Sequence, residues 1–496
     1  MNEEYNRVQQ ASINGRIKFL LRDSLLYGSV ASASKFLHIF MLPILARLFS
    51  KEDFGIYDTL LIISNLALVV IMAGTDSSVA RFFYELTTQK EKKELLSQTL
   101  LFEFILSSII GFVLWIFSET VLMFYFDTNT HNFEMSVLLL SLPFITVVRF
   151  TQNLLKWIFN RKKFLIIASG STFVTILISL LTVILMGPQL KYLFYSQLFS
   201  SVLFAFLGLY FIRDYLQVPS SMNTIFSQLK FGLPFTVNQL FTSLIPALDR
   251  FLIVAYLGLG YLGIYAVSNK ISQISQIAIV GFQQSWGPLA YSIMKEKDRD
   301  QTYRKIFNYY SIFVALFILL FTFLIPALIE IIASAEYKSA VVVIFILLLS
   351  KLLESFSGIT SIGIDLSKKT YFHLLISSSQ LIVSGLMMFI LIKPLGLHGV
   401  AIGILVGSLL NVVIVSYYTF RLSGVEFNYS RPGILILFSC FLSFLQMQIT
   451  DLFLSIITFT ISLAGLVAFA WHFLVSNDDK HLLLQKFFNK YGLRGL

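Results

Sequence analysis

Three cations lie in stretches otherwise built for hydrocarbon. Lys35 sits in SASKFLHIFMLPILAR (32–47), Arg149 in LPFITVVRFTQNLLKW (142–157) and Lys270 in LGIYAVSNKISQ (262–273). None has an acidic residue three or four positions away, so no neighbour on its own helix cancels the charge. A charge at mid-membrane costs about 2.5–3.5 kcal/mol on insertion scales. Such groups are tolerable where they share a hydrated space or meet an anion, whose oxygens suit ammonium and guanidinium donors.

Neutral polar residues accompany them at helical spacing. Gly28, Ser32, Lys35 and His38 form one stripe, and Arg149, Gln152, Asn153, Lys156 and Asn160 a second. Gln239, Thr242, Pro246 and Asp249 form a third, and Asn269, Ser272, Gln273 and Gln276 a fourth. Residues at i, i+3, i+4 and i+7 share a face, and in a membrane a polar face looks onto another helix or a wet cavity. Interhelical bonding accounts for isolated Ser, Thr, Asn or Gln. Lys351 and Glu354, at i and i+3, are expected to pair with each other, and Lys156, Arg250 and Arg81 to snorkel toward the membrane surface. His38 has no second ligand at metal-site spacing, so no metal or other cofactor is expected.

The elements carrying these residues are membrane helices. Of 496 residues 56% are hydrophobic and 13% charged, and the mean hydropathy is +0.79. Apolar segments about 20 residues long recur along the chain, as a polytopic helical protein requires. Fourteen spans are expected, at roughly 24–47, 55–80, 97–125, 133–160, 164–187, 192–212, 228–256, 261–292, 306–333, 339–365, 370–392, 397–420, 433–451 and 453–474. Alternate connections are basic, while Arg47, Lys51, Lys191, Arg250, Lys338 and Lys393 fall on the opposite side. The positive-inside rule then places both termini in the cytoplasm. The net charge of +10 reads as topology and attraction to anionic membrane lipids rather than nucleic-acid binding. The single cysteine, Cys440, excludes an internal disulfide.

The two halves repeat. Gly28, Pro43, Arg47 and FGIYDTL (54–60) in the first correspond to FGLPF (231–235), Pro246, DRF (249–251) and LGIYAVSNK (262–270) in the second. Internal repeats of this kind build many transporters. The expected division is 1–215 for an N-terminal lobe, 216–425 for a C-terminal lobe, each of six spans, and 426–496 for a final helix pair and tail.

The stretches KFGLPFTVNQLFTSLIPALDRFLIVAYLGLGYLGIYAVSNK and LPILARLFSKEDFGIYDTL resemble the Wzx-type polysaccharide-biosynthesis flippases of the multidrug/oligosaccharidyl-lipid/polysaccharide exporter superfamily. The resemblance implies two lobes in a V around a central cavity, alternating access, and a multi-pass monomer in the bacterial inner membrane. It implies a cargo of oligosaccharide on undecaprenyl pyrophosphate, bound for O-antigen, capsule or exopolysaccharide, with a polysaccharide polymerase as a possible partner. Under that reading Lys35, Arg149 and Lys270 hold the diphosphate. His38, Gln152, Asn153, Gln239, Asn269, Gln273 and Gln276 meet sugar hydroxyls, which need both donors and acceptors.

Rival readings remain. A Na⁺- or H⁺-coupled drug or cation antiporter of the same superfamily would use acidic residues: Asp76, Glu103, Glu354 and Asp365 lie within spans, Asp58, Asn65 and Asp76 are its best ion site, and Asp249, Lys351 and Glu354 are ion-coupling or structural-pair candidates. A lipid II-type flippase would share the cationic cavity. A polymerase or ligase would need a large external loop, and none is long enough; no Walker A sequence is present, so the protein is not expected to be an enzyme. A scaffold without transport leaves the locally unpaired cations unexplained.

Overall fold

With no water in hydrocarbon to bond the backbone, each peptide group must find its partner within its own segment, and this chain does so with helices. The computed structural model describes residue 37, residues 41–475 apart from 295, 297, 333, 334, 368, 370 and 450, and residue 480. Helix α1 (residues 41–48) ends the first span, and α2 (Lys51–Met72) and α3 (Thr75–Glu85) make the second. Helices α4 (Gln89–Ile116), α5 (Ser118–Phe126), α6 (Asn132–Trp157), α7 (Arg161–Met186) and α8 (Leu190–Ile212) complete the first lobe. The second contains α9 (Asn223–Leu257), α10 (Leu259–Ser272), α11 (Ser275–Ser292), α12 (Arg299–Ile332), α13 (Val341–Thr360), α14 (Ile362–Leu366), α15 (Phe372–Leu395) and α16 (Leu397–Ser423). Helices α17 (Ser430–Met447) and α18 (Leu452–Phe473) form the final pair.

Twelve helical segments among the described residues are long and apolar enough to cross a membrane. The other two expected spans have separate explanations. The first begins outside the described residues, and the eighth is divided into α10 and α11 at Gln273–Ile274. The protein is thus an all-α polytopic membrane protein with two six-helix lobes and a C-terminal pair. Large side chains such as Phe112, Phe206 and Leu185 point outward, as lipid-facing residues should. The final pair packs on α12, and most of α18 is exposed.

Local chemistry sets the helix ends. The Ser50 side chain accepts from the Asp53 N–H, and Thr88 with Glu91 forms a capping box. Between the lobes, Glu94 on α4 accepts the Ser220 N–H at 2.7 Å and its hydroxyl at 2.9 Å, pinning the connection from α8 to α9.

Helix α2 stands between the lobes: it runs along α9 and α10, while α3 continues along α9. Close contacts at two pairs of glycines make this approach possible. Near the Lys51 end, a Cβ on Gly55 would come within 2.9 Å of the Gly263 nitrogen, and one on Gly263 within 2.0 Å of the Lys51 carbonyl. Nearer the Arg81 end, Gly74 and Gly232 meet backbone to backbone. The Gly-Ile-Tyr copies of the internal repeat therefore touch each other. The sequence match has a packing cause.

Candidate functional site

A cavity of about 640 Å³ lies between the lobes. Its polar lining comes from α2 (Asp58, Asn65), α9 (Thr242, Ser243, Arg250), α10 (Asn269, Lys270), α11 (Gln276), the intervening Gln273, and α13 (Lys351). Apolar Met41, Leu42, Leu45, Phe54 and Leu61 complete the wall. A second cavity of about 230 Å³ is lined by Asp76, Arg149, Gln152, Asn153 and Gln239, with Leu68, Val69 and Met72. The two adjoin at one hydrogen bond, in which Arg149 donates to the Asn65 side-chain oxygen at 3.0 Å. The expected cations and amides therefore fall into two groups, Lys270 with Asn269, Gln273 and Gln276, and Arg149 with Gln152, Asn153 and Gln239. Lys35 and His38 lie outside the described residues.

The Lys51 end of the larger cavity is closed by charge. Arg250 donates to Asp58 at 2.7 Å and to Asp249 at 2.7 Å, and the Tyr265 hydroxyl donates to Asp249 at 2.7 Å. Lys270 reaches the other Asp58 oxygen at 3.1 Å. Asp58 belongs to the first lobe and the other four to the second, so the network crosses the interface. Two carboxylates meet two cations, which leaves the cluster neutral. Arg250 is only 1% exposed, whereas the Lys270 side chain is 35% exposed and turned toward the cavity.

Several expectations are corrected here. Lys270, which has no partner on its own helix, does not stand free for an anion but pairs with Asp58, distant in sequence. Arg250 does not snorkel but is buried between two carboxylates. Lys351 and Glu354 form no ion pair. Lys351 donates to the Asn269 side-chain oxygen at 2.9 Å, while the exposed Glu354 lies 3.5 Å from the Gln380 amide. Asp58, Asn65 and Asp76 do not converge on an ion site, because Asp58 joins the network, Asn65 accepts from Arg149 and Asp76 lines the smaller cavity.

Other participants were not singled out by the polar stripes. Tyr265 carries no stripe signal and belongs to the Gly-Ile-Tyr repeat. Ser357, Gln380 and Asn411 form a seam inside the second lobe, with Ser357 donating to Asn411 at 2.6 Å and Asn411 donating to Gln380 at 2.6 Å. The DRF segment, repeat counterpart of the region around Arg47, was the signal pointing to Arg250. Arg47 also crosses between lobes, donating to the carbonyls of Glu330 at 2.9 Å and Ile331 at 2.8 Å in the last turn of α12.

Helical bundles around an interfacial cavity have counterparts among solved structures. The structure is similar to a lipid II flippase, MurJ, in an inward closed conformation, with TM-score 0.72 and 14% identity over 91% of this chain and 100% of that one. It is similar to a multidrug resistance MATE family transporter of the MOP superfamily, inward-facing, with TM-score 0.66 and 17% identity over 79% and 95% of the two chains. An outward-facing MATE family structure gives 0.58 at 18% identity, over 84% and 98%. No curated protein matches the sequence. The family profile described as "Polysaccharide biosynthesis protein" matches residues 20–294, more than half of the chain. The protein belongs to that family.

Proposed function

We propose that this protein is a flippase that moves oligosaccharide linked to undecaprenyl pyrophosphate from the cytoplasmic to the outer leaflet of the bacterial inner membrane. The observation that carries the reading is the cavity between lobes, where Lys270, Arg250 and Lys351 stand among Asn269, Gln273 and Gln276. Ammonium and guanidinium groups bind diphosphate oxygens, and amides offer sugar hydroxyls a donor and an acceptor together. With the basic connections on the cytoplasmic side, the Lys51 end faces outward. The Asp58–Arg250 network and the Gly55–Gly263 contact then close the outer gate, and the two lobes, divided near residue 215, rock about α2 and α9 to open it.

Lys270 gives this arrangement its working part. Its ammonium is shared between Asp58 and the cavity, so an arriving diphosphate competes with the gate carboxylate for it. The test uses the purified full chain in lipid nanodiscs, with undecaprenyl pyrophosphate and undecaprenyl phosphate as probes. We expect preference for the diphosphate and a loss of about 10- to 100-fold on Lys270→Ala, the size of one charge-assisted hydrogen bond of about 1.5–3 kcal/mol. Tight binding of a hydrophobic organic cation, with none of the diphosphate lipid, would overturn the reading in favour of an antiporter.

A further inference from the structure

The second span breaks between α2 and α3. Ala73 and Gly74 are both left-handed there, with φ of 44° and 71°, and Gly74 rests on the Gly232 backbone of the other lobe. The break removes the helical partner of the Met72 carbonyl. Thr75 replaces it: its hydroxyl lies 2.5 Å from the Met72 oxygen. The same hydroxyl lies 2.5 Å from Oε1 of Glu103 on α4, and Thr75 and Glu103 are both buried.

Counting hydrogens decides what these contacts mean. Thr75 has one proton to give and two oxygens at bonding distance. The Met72 carbonyl can only accept, and so can an ionised Glu103, so one Thr75 proton cannot fully satisfy both contacts; a neutral Glu103 that donates to Thr75 while Thr75 donates to Met72 satisfies both. Its second oxygen supports this, because Oε2 is buried without a hydrogen-bond partner, a costly position for half of a carboxylate and a far milder one for an acid carbonyl. The charged group facing Glu103 is Asp76 on α3, and Asp76 in turn faces Arg149 and Lys156 on α6. Helices α2 and α9 present Met72 and Gly232, which carry no charge.

We propose that Glu103 is a proton-binding site of the conformational cycle, loaded in this state and emptied into the smaller cavity when the α2–α3 break rearranges. In the release step the Glu103 O–H bond breaks and the proton passes by way of Asp76, which lines that cavity, to water. The Thr75 hydroxyl then swings its proton from the Met72 carbonyl to the new carboxylate. Met72 loses its cap, so the break cannot keep its present geometry, and the Gly74–Gly232 contact transmits the change between lobes.

The experiment uses the full chain in lipid vesicles and needs no transport cargo, so it stands apart from the flippase reading. Infrared difference spectra at neutral pH should show a protonated carboxylic acid band in the wild type that is absent in Glu103→Gln and retained in Glu354→Gln. Spin labels at positions 90 and 226, one on each lobe, should report a shifted distance distribution as that band disappears at high pH. Glu103→Gln keeps a donor to Thr75 and should hold the low-pH distribution throughout. Identical wild-type and Glu103→Gln spectra would overturn the protonated state. A lobe movement with the same pH dependence in Glu103→Gln would overturn the coupling and leave Glu103 a structural acid.

Discussion

Arg47 and Arg250 occupy matching places in the internal repeat, each four residues after a proline, and each crosses from one lobe to the other. Their surroundings differ sharply. Arg47 is exposed and donates to two backbone carbonyls at the C-terminal turn of α12, where the helix dipole favours a cation. Arg250 is buried between Asp58 and Asp249, beneath the Tyr265 ring. Water can replace every bond that Arg47 loses when the lobes part. It can replace those of Arg250 only if the Lys51 end floods. In the proposed cycle one arginine is a latch that slips at small cost, and the other holds until water enters.

The largest effect should come from breaking this asymmetry at Arg250. Arg250→Ala leaves Asp249 buried without its cation, at a cost of about 3–5 kcal/mol, the usual range when one member of a buried pair is removed. Arg47→Ala should cost at most about 1 kcal/mol. Thermal melting of the purified full chain, with membrane abundance alongside, compares the two. Equal losses would show that burial is not what separates them.

The next effect should come from the glycines beneath the network. A methyl group at Gly263 meets the Lys51 carbonyl at 2.0 Å, a contact with backbone that no side-chain rotation relieves. Gly263→Ala should weaken closure of the Lys51 end by about 1–3 kcal/mol, the typical cost of overpacking. A cysteine pair at Glu52 and Gly260, where the Glu52 carboxylate lies 3.1 Å from the place a Gly260 Cβ would take, reads closure as disulfide yield in a chain whose Cys440 has been replaced by serine. Gly263→Ala should lower that yield. Undiminished cross-linking would remove the glycine contact from the gate.

These two regions also show what was legible before the structure. Helical hydrophobic runs reveal spans, because length and apolarity are local properties, and the repeat was visible because matching packing demands matching residues. Helical spacing likewise assembled Arg149, Gln152 and Asn153 on the wall they share. Pairing across lobes was invisible. Asp58 and Arg250 are 192 positions apart, and nothing local to Lys270 names Asp58 as its partner. Glu103 and Thr75 are separated by 28 positions and by a helix break, so no stripe could join them. Charge on one helix is readable; its neutralisation by another helix is a tertiary fact.

The smallest effect tests this lesson at Lys351. Helical spacing favours Glu354 as its partner, whereas the structure gives it Asn269 at 2.9 Å, on a different helix. Two double-mutant cycles on thermal stability separate the alternatives. Lys351→Ala with Asn269→Ala should show coupling of about 1 kcal/mol, the net worth of one hydrogen bond to a charged group that is partly wet. Lys351→Ala with Glu354→Ala should show the smaller coupling, because no hydrogen bond joins the two side chains and Glu354 lies instead beside the Gln380 amide. If the order reverses, the i, i+3 pair is the real one and the cavity wall at α13 is held from within its own helix. If it holds, Lys351 is tied to α10, which also carries Lys270. Under the proposed function the two ammonium groups then move together when the network opens, so a diphosphate bound by one would be followed by the other.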